Sequence, residues 1–255
     1  MLDEKLGVGD FIYDPQIYDK VNQFENDIKF YYDIASNVKG KVLELCCGTG
    51  RITIPLKEKG IDILGIDFTK PMLERAKEKA KNKQLQIDFM LEDMRTFNLN
   101  KKFSMIFIPF NSLQNTYSNE DLSKVFQSVA NHLEDDGIFV FDIFSPNIHL
   151  LVNGEERYRI INKFTIDSGE EVIVSEKGKY DSATQTFRLN WKHKIGNIVK
   201  NQKLDMRCFY PLEMDLHIKY NNFKIIEKFG DFDLNKFSSD SKKMIYICKI
   251  DKAKK

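Results

Sequence analysis

The chain has 255 residues, of which 42% are hydrophobic and 12% aromatic, enough for one sizeable core with or without a smaller appended layer. The chain has 39 lysine and arginine residues and 38 aspartate and glutamate residues, which gives a net charge of +1. Proteins that bind phosphate backbones typically have an excess of basic residues, so we expect no nucleic-acid partner. The first residues contain no apolar signal core and no apolar run is long enough to span a bilayer, so we expect no membrane association.

The first part of the chain alternates between helix and strand patterns. A helix is predicted over residues 16–36, and Gly40 ends this pattern. Buried strands are predicted at residues 41–45, 61–66, 86–90, 103–108 and, after a turn at 135–137, 138–142. Helices are predicted between them at residues 52–59, after an N-cap at Thr69, and at residues 119–133. This alternation indicates a parallel sheet whose ligands bind at the carboxyl ends of the strands.

The pattern changes after Pro146. Turn signals at residues 167–169, 181–183 and 196–197 divide residues 157–210 into about four antiparallel strands. A helix from Pro211 to about Tyr220 and strands at 223–228 and 243–250 follow. The predicted fold is a Rossmann-like, mostly parallel seven-stranded sheet with helices on both faces and an inserted antiparallel β-sheet. Residues 1–150 and 211–255 would form the α/β core, and residues 151–210 the insertion, as a cover over the core or a dimer contact.

The strongest chemical signal is a strand that ends in a glycine-containing turn, VLELCCGTGR at residues 42–51. Gly48 and Gly50 allow a ligand to approach the backbone, and we expect unpaired amides of the next helix to face that ligand. A dinucleotide site would need a third glycine, and Thr53 stands there instead. Glu44 would also be unfavourable beside a pyrophosphate, whereas its carboxylate suits the ammonium end of a methionine moiety.

A second signal is Asp67, which ends the next strand 19 residues after Gly48. A carboxylate at this spacing is expected to accept both ribose hydroxyls of an adenosine.

The segment ELCCGTGR resembles motif I of the class I S-adenosylmethionine-dependent methyltransferases, usually written E/D-x-G-x-G-x-G. The chain resembles the small-molecule members of this family, although Cys46 stands where glycine is usual. The resemblance covers about residues 12–150 well and residues 209–250 moderately. It implies S-adenosylmethionine as cofactor and S-adenosylhomocysteine as product.

The resemblance also implies roles for individual residues. Asp67 would bind the ribose, Asp93 and Met94 the adenine, and the loop after the fourth strand would border the methyl donor. The N-terminal segment resembles the helical lid of the small-molecule members, in which Tyr18 would close over the cofactor-binding core or its substrate. The aromatic residues Phe30, Tyr31 and Tyr32 of this segment could equally pack a helix on the sheet. The predicted cofactor-binding residues are Tyr18, Glu44, Cys46, Gly48, Gly50, Arg51, Asp67, Phe68, Met72, Asp93, Met94, Pro109 and Asn111.

The expected reaction is methyl transfer to a nitrogen or oxygen atom of a small molecule. No catalytic residue is assigned, because an amine acceptor of suitable pKa needs no dedicated base. An NAD(P)-linked oxidoreductase and a non-catalytic cofactor-binding module stay open as alternatives. The four cysteines match neither a disulfide framework nor a metal clamp, so we expect no metal and a cytoplasmic location. The protein is expected to be a monomer or a homodimer.

Overall fold

The structure, a computed structural model, describes residues 14–147, 151, 157–166 and 168–254. The α-helices of these residues are α1 (Pro15–Val21), α2 (Asn26–Ala35), α3 (Thr53–Glu58), α4 (Lys70–Asn82), α5 (Asn119–His132) and α6 (Pro211–Tyr220). Short 3₁₀ helices lie at Ser112–Asn115 and Lys252–Lys254. Within these residues, no helix combines the length and the apolar character that crossing a membrane requires.

The same residues form strands of two sheets. The strands of the first are β1 (Val42–Leu45), β2 (Ile63–Asp67), β3 (Asp88–Leu91), β4 (Phe103–Ile108), β5 (Leu133–Phe144), β10 (Phe223–Phe229) and β11 (Lys243–Ile250). The strands of the second are β6 (Arg159–Thr165), β7 (Glu171–Asp181), β8 (Thr186–Ile195) and β9 (Ile198–Arg207).

The first sheet has the order β10-β11-β5-β4-β1-β2-β3. Strands β1 to β5 pair in parallel, and β11 is antiparallel to both β5 and β10. Strands β1, β2 and β4 are buried along their whole length, as parallel strands covered on both faces should be. The predicted Rossmann-like, mostly parallel seven-stranded sheet is therefore confirmed.

Helices cover both faces of this sheet. On one face, Leu43 of β1 and Ile106 of β4 belong to a buried cluster with Phe126 of α5. On the other face, Val42 and Phe107 belong to a cluster with residues of α2 and α3. Alternate side chains of one strand thus pack into the cores on opposite faces of the sheet. This packing on both faces fixes the ends of the strands from which the loops of the site begin.

The second sheet is the predicted antiparallel one, with the order β6-β7-β8-β9. Asp181 accepts hydrogen bonds from the backbone amides of Ala183 and Thr184, which forms the turn between β7 and β8. Val174 and its cross-strand partner His193 are buried on one face, whereas Lys194 on the opposite face is exposed. This is the alternation expected of a sheet with one covered face.

The chain divides into two compact units. One comprises Met1–Gln23 and Pro146–Cys208, and therefore contains α1 and the antiparallel sheet. The other comprises Phe24–Ser145 and Phe209–Lys255, and contains the seven-stranded sheet. The division drawn from the sequence, with the N-terminal helix assigned to the core, stays a prediction.

Two local predictions were wrong. The single helix over residues 16–36 is two helices, because the chain leaves the helical path between Val21 and Asn26. The predicted turn at 135–137 lies inside β5, which runs from Leu133. Phe103 pairs with Leu133 and Met105 with Ile138, so the extra residues form an irregularity within the strand rather than a turn before it.

Candidate functional site

The topology of the first sheet defines a crevice between β1 and β4. The chain leaves β1 towards β2 and β3 on one side, and it continues from β4 to β5 on the other side. In open α/β sheets, ligands bind at such a switch point, outside the carboxyl ends of the strands. The loops that border it are residues 46–52 after β1 and 109–112 after β4.

The turn after β1 has a backbone that needs glycine-like freedom. Gly48 and Gly50 have φ angles of +54° and +75°, and Cys46 has a φ of +58°. Glycine adopts this left-handed region at no steric cost, whereas cysteine is strained in it. The backbone conformation at position 46 is therefore one that favours glycine over the cysteine present.

Two amides of this turn are paired within the protein. The Gly48 amide donates to Asp67 Oδ2 at 2.9 Å, and the Gly50 amide donates to the Cys47 carbonyl at 2.9 Å. The turn satisfies these donors internally because it folds back on the end of β2. The turn is therefore held in its conformation by its own contacts, before any ligand binds.

Asp67 is brought directly to the glycine turn. Its Oδ2 accepts the Gly48 amide, and its Oδ1 accepts the Thr69 amide at 2.8 Å. Burial raises the pKa of Asp67, and the two amide hydrogen bonds oppose that rise. Each carboxylate oxygen can accept more than one hydrogen bond, so acceptor capacity is left for a hydroxyl-bearing ligand.

Glu44 lies within β1, where it is buried. Thr53 Oγ1 donates a hydrogen bond to its Oε2. Burial raises the pKa of Glu44 from its usual 4.5 to about 8, although Thr53 and the charge of Arg51 both lower it. At neutral pH, without a ligand, the group is therefore mostly a neutral carboxylic acid.

Arg51 is held by α2 and the segment before it. It donates to Asp27 Oδ1 at 2.8 Å and to Asp27 Oδ2 at 2.5 Å, and also to the Phe24 carbonyl at 2.6 Å. Its guanidinium lies 4.7 Å from the centre of the Phe110 ring. Asp27 is fully buried, so this bidentate ion pair ties α2, the glycine turn and the loop after β4 together.

Asp93 and Met94 follow β3. Arg95 donates to both oxygens of Asp93 through its backbone amide, Nε and Nη2, at distances of 2.6–3.1 Å. Although burial opposes it, this contact lowers the pKa of Asp93. The Cys46 thiol donates to Met94 Sδ at 3.5 Å. The sulfur atoms thus join the glycine turn to the loop after β3, while much of the acceptor capacity of Asp93 is used by Arg95.

The loop after β4 contains two consecutive residues in the left-handed region, Phe110 at φ +57° and Asn111 at φ +63°. Asp142, fully buried at the end of β5, holds this loop through the Phe110 amide, which donates to its Oδ1 at 2.8 Å. Lys243 Nζ donates to Asp142 Oδ2 at 2.5 Å and to Asn111 Oδ1 at 3.0 Å. Strained non-glycine backbone held by a buried polar network is common at functional sites.

Tyr31 completes this network. Its hydroxyl donates to Asp142 Oδ1 at 2.8 Å, and its ring stacks on Phe107. Burial and the neighbouring carboxylate of Asp142 raise the pKa of Tyr31 well above its usual value, so the hydroxyl stays protonated as a donor. Sequence reasoning missed Asp27, Asp142 and Lys243. Only Asp142 had a local signal, because it ends a predicted strand as Asp67 does.

The remaining predicted site residues differ in their surroundings. Phe68 is exposed beside Asp67, whereas Met72 in α4 and Pro109 after β4 are buried. Tyr18 lies in α1, which belongs to the compact unit of the antiparallel sheet, and its role stays a prediction. Phe30 and Tyr31 of the N-terminal segment are buried in the core beneath the seven-stranded sheet, the packing alternative left open by the sequence.

Comparison with known proteins gives one family. Residues 42–137 match the family model described as a methyltransferase domain. YqeM of Bacillus subtilis (strain 168), named as a methyltransferase, is 38% identical over 108 residues, which cover 42% of this chain and 43% of YqeM. A glycine/sarcosine N-methyltransferase of Aphanothece halophytica is 25% identical over 216 residues, which cover 83% of this chain and 76% of that protein.

A solved structure shares the fold. It is an S-adenosylmethionine-dependent methyltransferase from Clostridium acetobutylicum ATCC 824, with a TM-score of 0.77, 24% identity, and coverage of 92% of this chain and 96% of that one. The sheet order and the glycine turn at its switch point thus define a Rossmann-like methyltransferase fold.

The methyltransferase domain matched at residues 42–137, the relatives named as methyltransferases and the shared fold together support a class I S-adenosylmethionine-dependent methyltransferase with S-adenosylmethionine as cofactor. The residues present fit that group. A buried carboxylate with acceptor capacity, Asp67, contacts the glycine turn, and the Met94 side chain contacts Cys46 of the same turn.

Proposed function

We propose that this protein transfers the methyl group of S-adenosylmethionine to a nitrogen atom of a small molecule, or to an oxygen atom as the second choice. The proposal has two parts, the methyl donor and the methyl acceptor. The donor half is supported by the contact of 2.9 Å between Asp67 and the Gly48 amide at the switch point of the sheet. When bound, the cofactor supplies a methyl group on a positively charged sulfur, which is an excellent leaving group.

The residues of the crevice would each contribute binding or orientation. Asp67 would accept the ribose hydroxyls, and the turn at Gly48 and Gly50 would accommodate the amino-acid end. Pro109 and Asn111 would border the methyl group, in a loop that Asp142 and Lys243 keep in one conformation. Fixing the reacting atoms in this way can supply much of the rate acceleration of a displacement reaction.

A nitrogen acceptor is favoured by the names of two relatives. One is the glycine/sarcosine N-methyltransferase of Aphanothece halophytica. The other, 29% identical over 116 residues, is a dTDP-3-amino-3,4,6-trideoxy-α-D-glucopyranose N,N-dimethyltransferase of Streptomyces venezuelae. A neutral amine carries its own lone pair, so such a site needs to position the nitrogen and exclude water more than to remove a proton. This agrees with a crevice to which we assign no general base.

Isothermal titration with S-adenosylhomocysteine tests the donor half. The wild type should bind one molecule per chain, and Asp67→Asn should weaken binding by about tenfold to a hundredfold, because one hydrogen-bond acceptor of a charged group becomes a donor. Asp62→Asn is the matched control, since Asp62 is exposed and precedes the same strand at its opposite end. Equal affinities of Asp67→Asn and wild type would contradict the assignment of the ribose to Asp67.

The acceptor half needs a separate measurement. The protein should be incubated with S-adenosylmethionine and a panel of amino sugars, amino acids and phenols, and product S-adenosylhomocysteine should be quantified by mass spectrometry. A mass increase of one methyl group on an amine, reduced in Asp67→Asn in parallel with its weaker cofactor binding, would support the proposal. Methylation of hydroxyl compounds alone would overturn the preference for nitrogen.

A further inference from the structure

The antiparallel sheet has one side that is rich in lysine. In an antiparallel pair, residues that lie directly opposite each other point to the same face of the sheet. The register therefore places six lysines on the face opposite to that of the buried Val174 and His193. We call this side the lysine face, and its lysines are Lys163, Lys177, Lys179, Lys192, Lys194 and Lys203. All six are exposed or partly exposed.

The acids of this face do not neutralise its lysines. By register the acids are Glu171, Asp181 and Asp205. Arg188, on the same face, pairs with Asp181 at 3.2 Å and with Asp205 at 2.8 Å. Lys203 interacts electrostatically with Asp205 without forming an ion pair. Within the described part of the chain, none of the six lysines is in an ion pair, so the face has an excess of positive charge.

Two of these lysines are held together at one aromatic ring. The Nζ atoms of Lys177 and Lys192 lie 5.0 Å and 4.2 Å from the centre of the Tyr158 ring. The ring attracts each cation, but the two ammonium groups repel each other. An anion that contacts both groups would relieve this repulsion. The lysine face therefore contains a position at which a negatively charged group is favoured.

The side chains between the lysines indicate the kind of anion. Asn190 lies between Lys177 and Lys203 in one cross-strand row, and Asn201 lies opposite Lys192 in the next. Lysine and asparagine are among the side chains that contact phosphate and sugar oxygens in nucleic-acid complexes. A surface that binds anionic membranes would also need apolar side chains that enter the headgroup region. The large, strongly exposed apolar residues of this sheet lie instead on its edge strands, β6 and β9.

We infer that the lysine face binds the phosphate backbone of a single-stranded nucleic acid. Four strands, two of them of 10 residues, give a face of about 600 Å², close to the area that single DNA-binding modules bury. Tyr158 would offer a ring on which an unpaired base can stack. The expectation of no nucleic-acid partner used the charge of the whole chain, which averages this face with acids elsewhere. The inference does not depend on the identity of the methyl acceptor.

The number of lysines sets the expected strength and salt dependence. If four to six lysines each neutralise one phosphate, the logarithm of the association constant should fall with the logarithm of the salt concentration with a slope of about −3 to −4. Binding without base-specific contacts should have a dissociation constant on the order of 10 µM at physiological salt.

Fluorescence anisotropy tests the inference, with the full chain and labelled single strands of about 20 nucleotides, as RNA and as DNA, between about 50 and 200 mM salt. The variant with Lys179→Gln, Lys194→Gln and Lys203→Gln together should bind at least tenfold more weakly than wild type. Its salt slope should be smaller by about 2, because three phosphate contacts are lost. These three lysines are exposed, so the variant should fold, which circular dichroism and unchanged binding of S-adenosylhomocysteine will check.

The matched control replaces Lys77, Lys81 and Lys224 by glutamine, which removes the same charge from exposed positions of the other compact unit. Its affinity should stay within about twofold of wild type, and an equal loss in both triple variants would overturn the inference, since binding would then follow net charge. A wild-type dissociation constant above about 1 mM at the lowest salt would also overturn it. So would tighter binding to duplex DNA, or binding to phosphatidylserine vesicles without binding to either single strand.

Discussion

The buried Glu44 yields a prediction in which protonation, stability and cofactor binding are linked. Its pKa in the folded protein is about 8, against a usual value of 4.5, chiefly because burial disfavours the charge. Below pH 4.5 the group is protonated in both the folded and the unfolded chain, so it has no effect on stability. Between pH 4.5 and 8 the unfolded chain loses this proton while the folded chain retains it, so rising pH favours unfolding.

Glu44→Gln removes this titration while keeping an amide that can accept from Thr53. The free energy of unfolding of the variant, relative to wild type, should therefore increase with pH by up to about 1.4 kcal/mol per pH unit between pH 5 and 8. Urea unfolding at four pH values measures it. A difference that is constant across this range would show that Glu44 is ionised in the folded protein and would refute the reasoning.

The same proton reports whether Glu44 meets the ammonium group of the cofactor. If it does, the carboxyl must ionise on binding, and nearly one proton per site is released at neutral pH. The heat of S-adenosylhomocysteine binding will then depend on the ionisation enthalpy of the buffer, and this dependence will disappear in Glu44→Gln. A wild-type heat that is the same in phosphate and Tris buffers would assign Glu44 a purely structural role, through Thr53.

Three further predictions concern the frame around the crevice. Lys243→Met leaves the fully buried Asp142 without its cation and should cost about 2–3 kcal/mol of unfolding free energy, since Lys243 itself is partly exposed. Arg51→Gln should cost about 3 kcal/mol, because Asp27 is likewise fully buried. Both are measured by urea unfolding, and losses below about 0.5 kcal/mol, typical of surface sites, would contradict them. Cys46→Gly should raise stability by about 0.5–1 kcal/mol, since relief of left-handed strain exceeds the added chain entropy, and a lower melting temperature would contradict it.

Local sequence pattern predicted the first sheet well for a physical reason. Its central strands are short apolar runs ended by glycine or aspartate, and burial on both faces leaves few alternatives for such runs. The break between α1 and α2 had no such local cause, since no glycine or proline lies between Val21 and Asn26. It coincides with tertiary contacts, because the Phe24 carbonyl accepts from Arg51 and the Phe24 ring lies 5.9 Å from that of Phe232.

In the candidate site, too, contacts within one local segment could be predicted from the sequence, whereas contacts between distant segments could not. Gly48 and Asp67 are separated by 19 residues within one βαβ unit, and their contact could be predicted from spacing alone. Lys243 reaches Asp142 and Asn111 across 101 and 132 residues, and no periodicity within one segment relates such distant positions. Sequence pattern therefore identifies acids at strand ends, but not which partner neutralises them.

The partner that each acid has within the protein decides whether that acid remains open to a ligand at this edge of the sheet. Asp142 has its oxygens committed to Tyr31, Phe110 and Lys243, and Asp93 has both of its oxygens bound by Arg95. Asp67 accepts hydrogen bonds from the backbone amides of Gly48 and Thr69, which orient its carboxylate without neutralising its charge. A group that is oriented but still charged can strengthen its hydrogen bonds to incoming hydroxyls at little further cost in entropy. Among these three acids, Asp67 therefore has the environment that ligand binding requires, and the other two have environments that suit the support of loops.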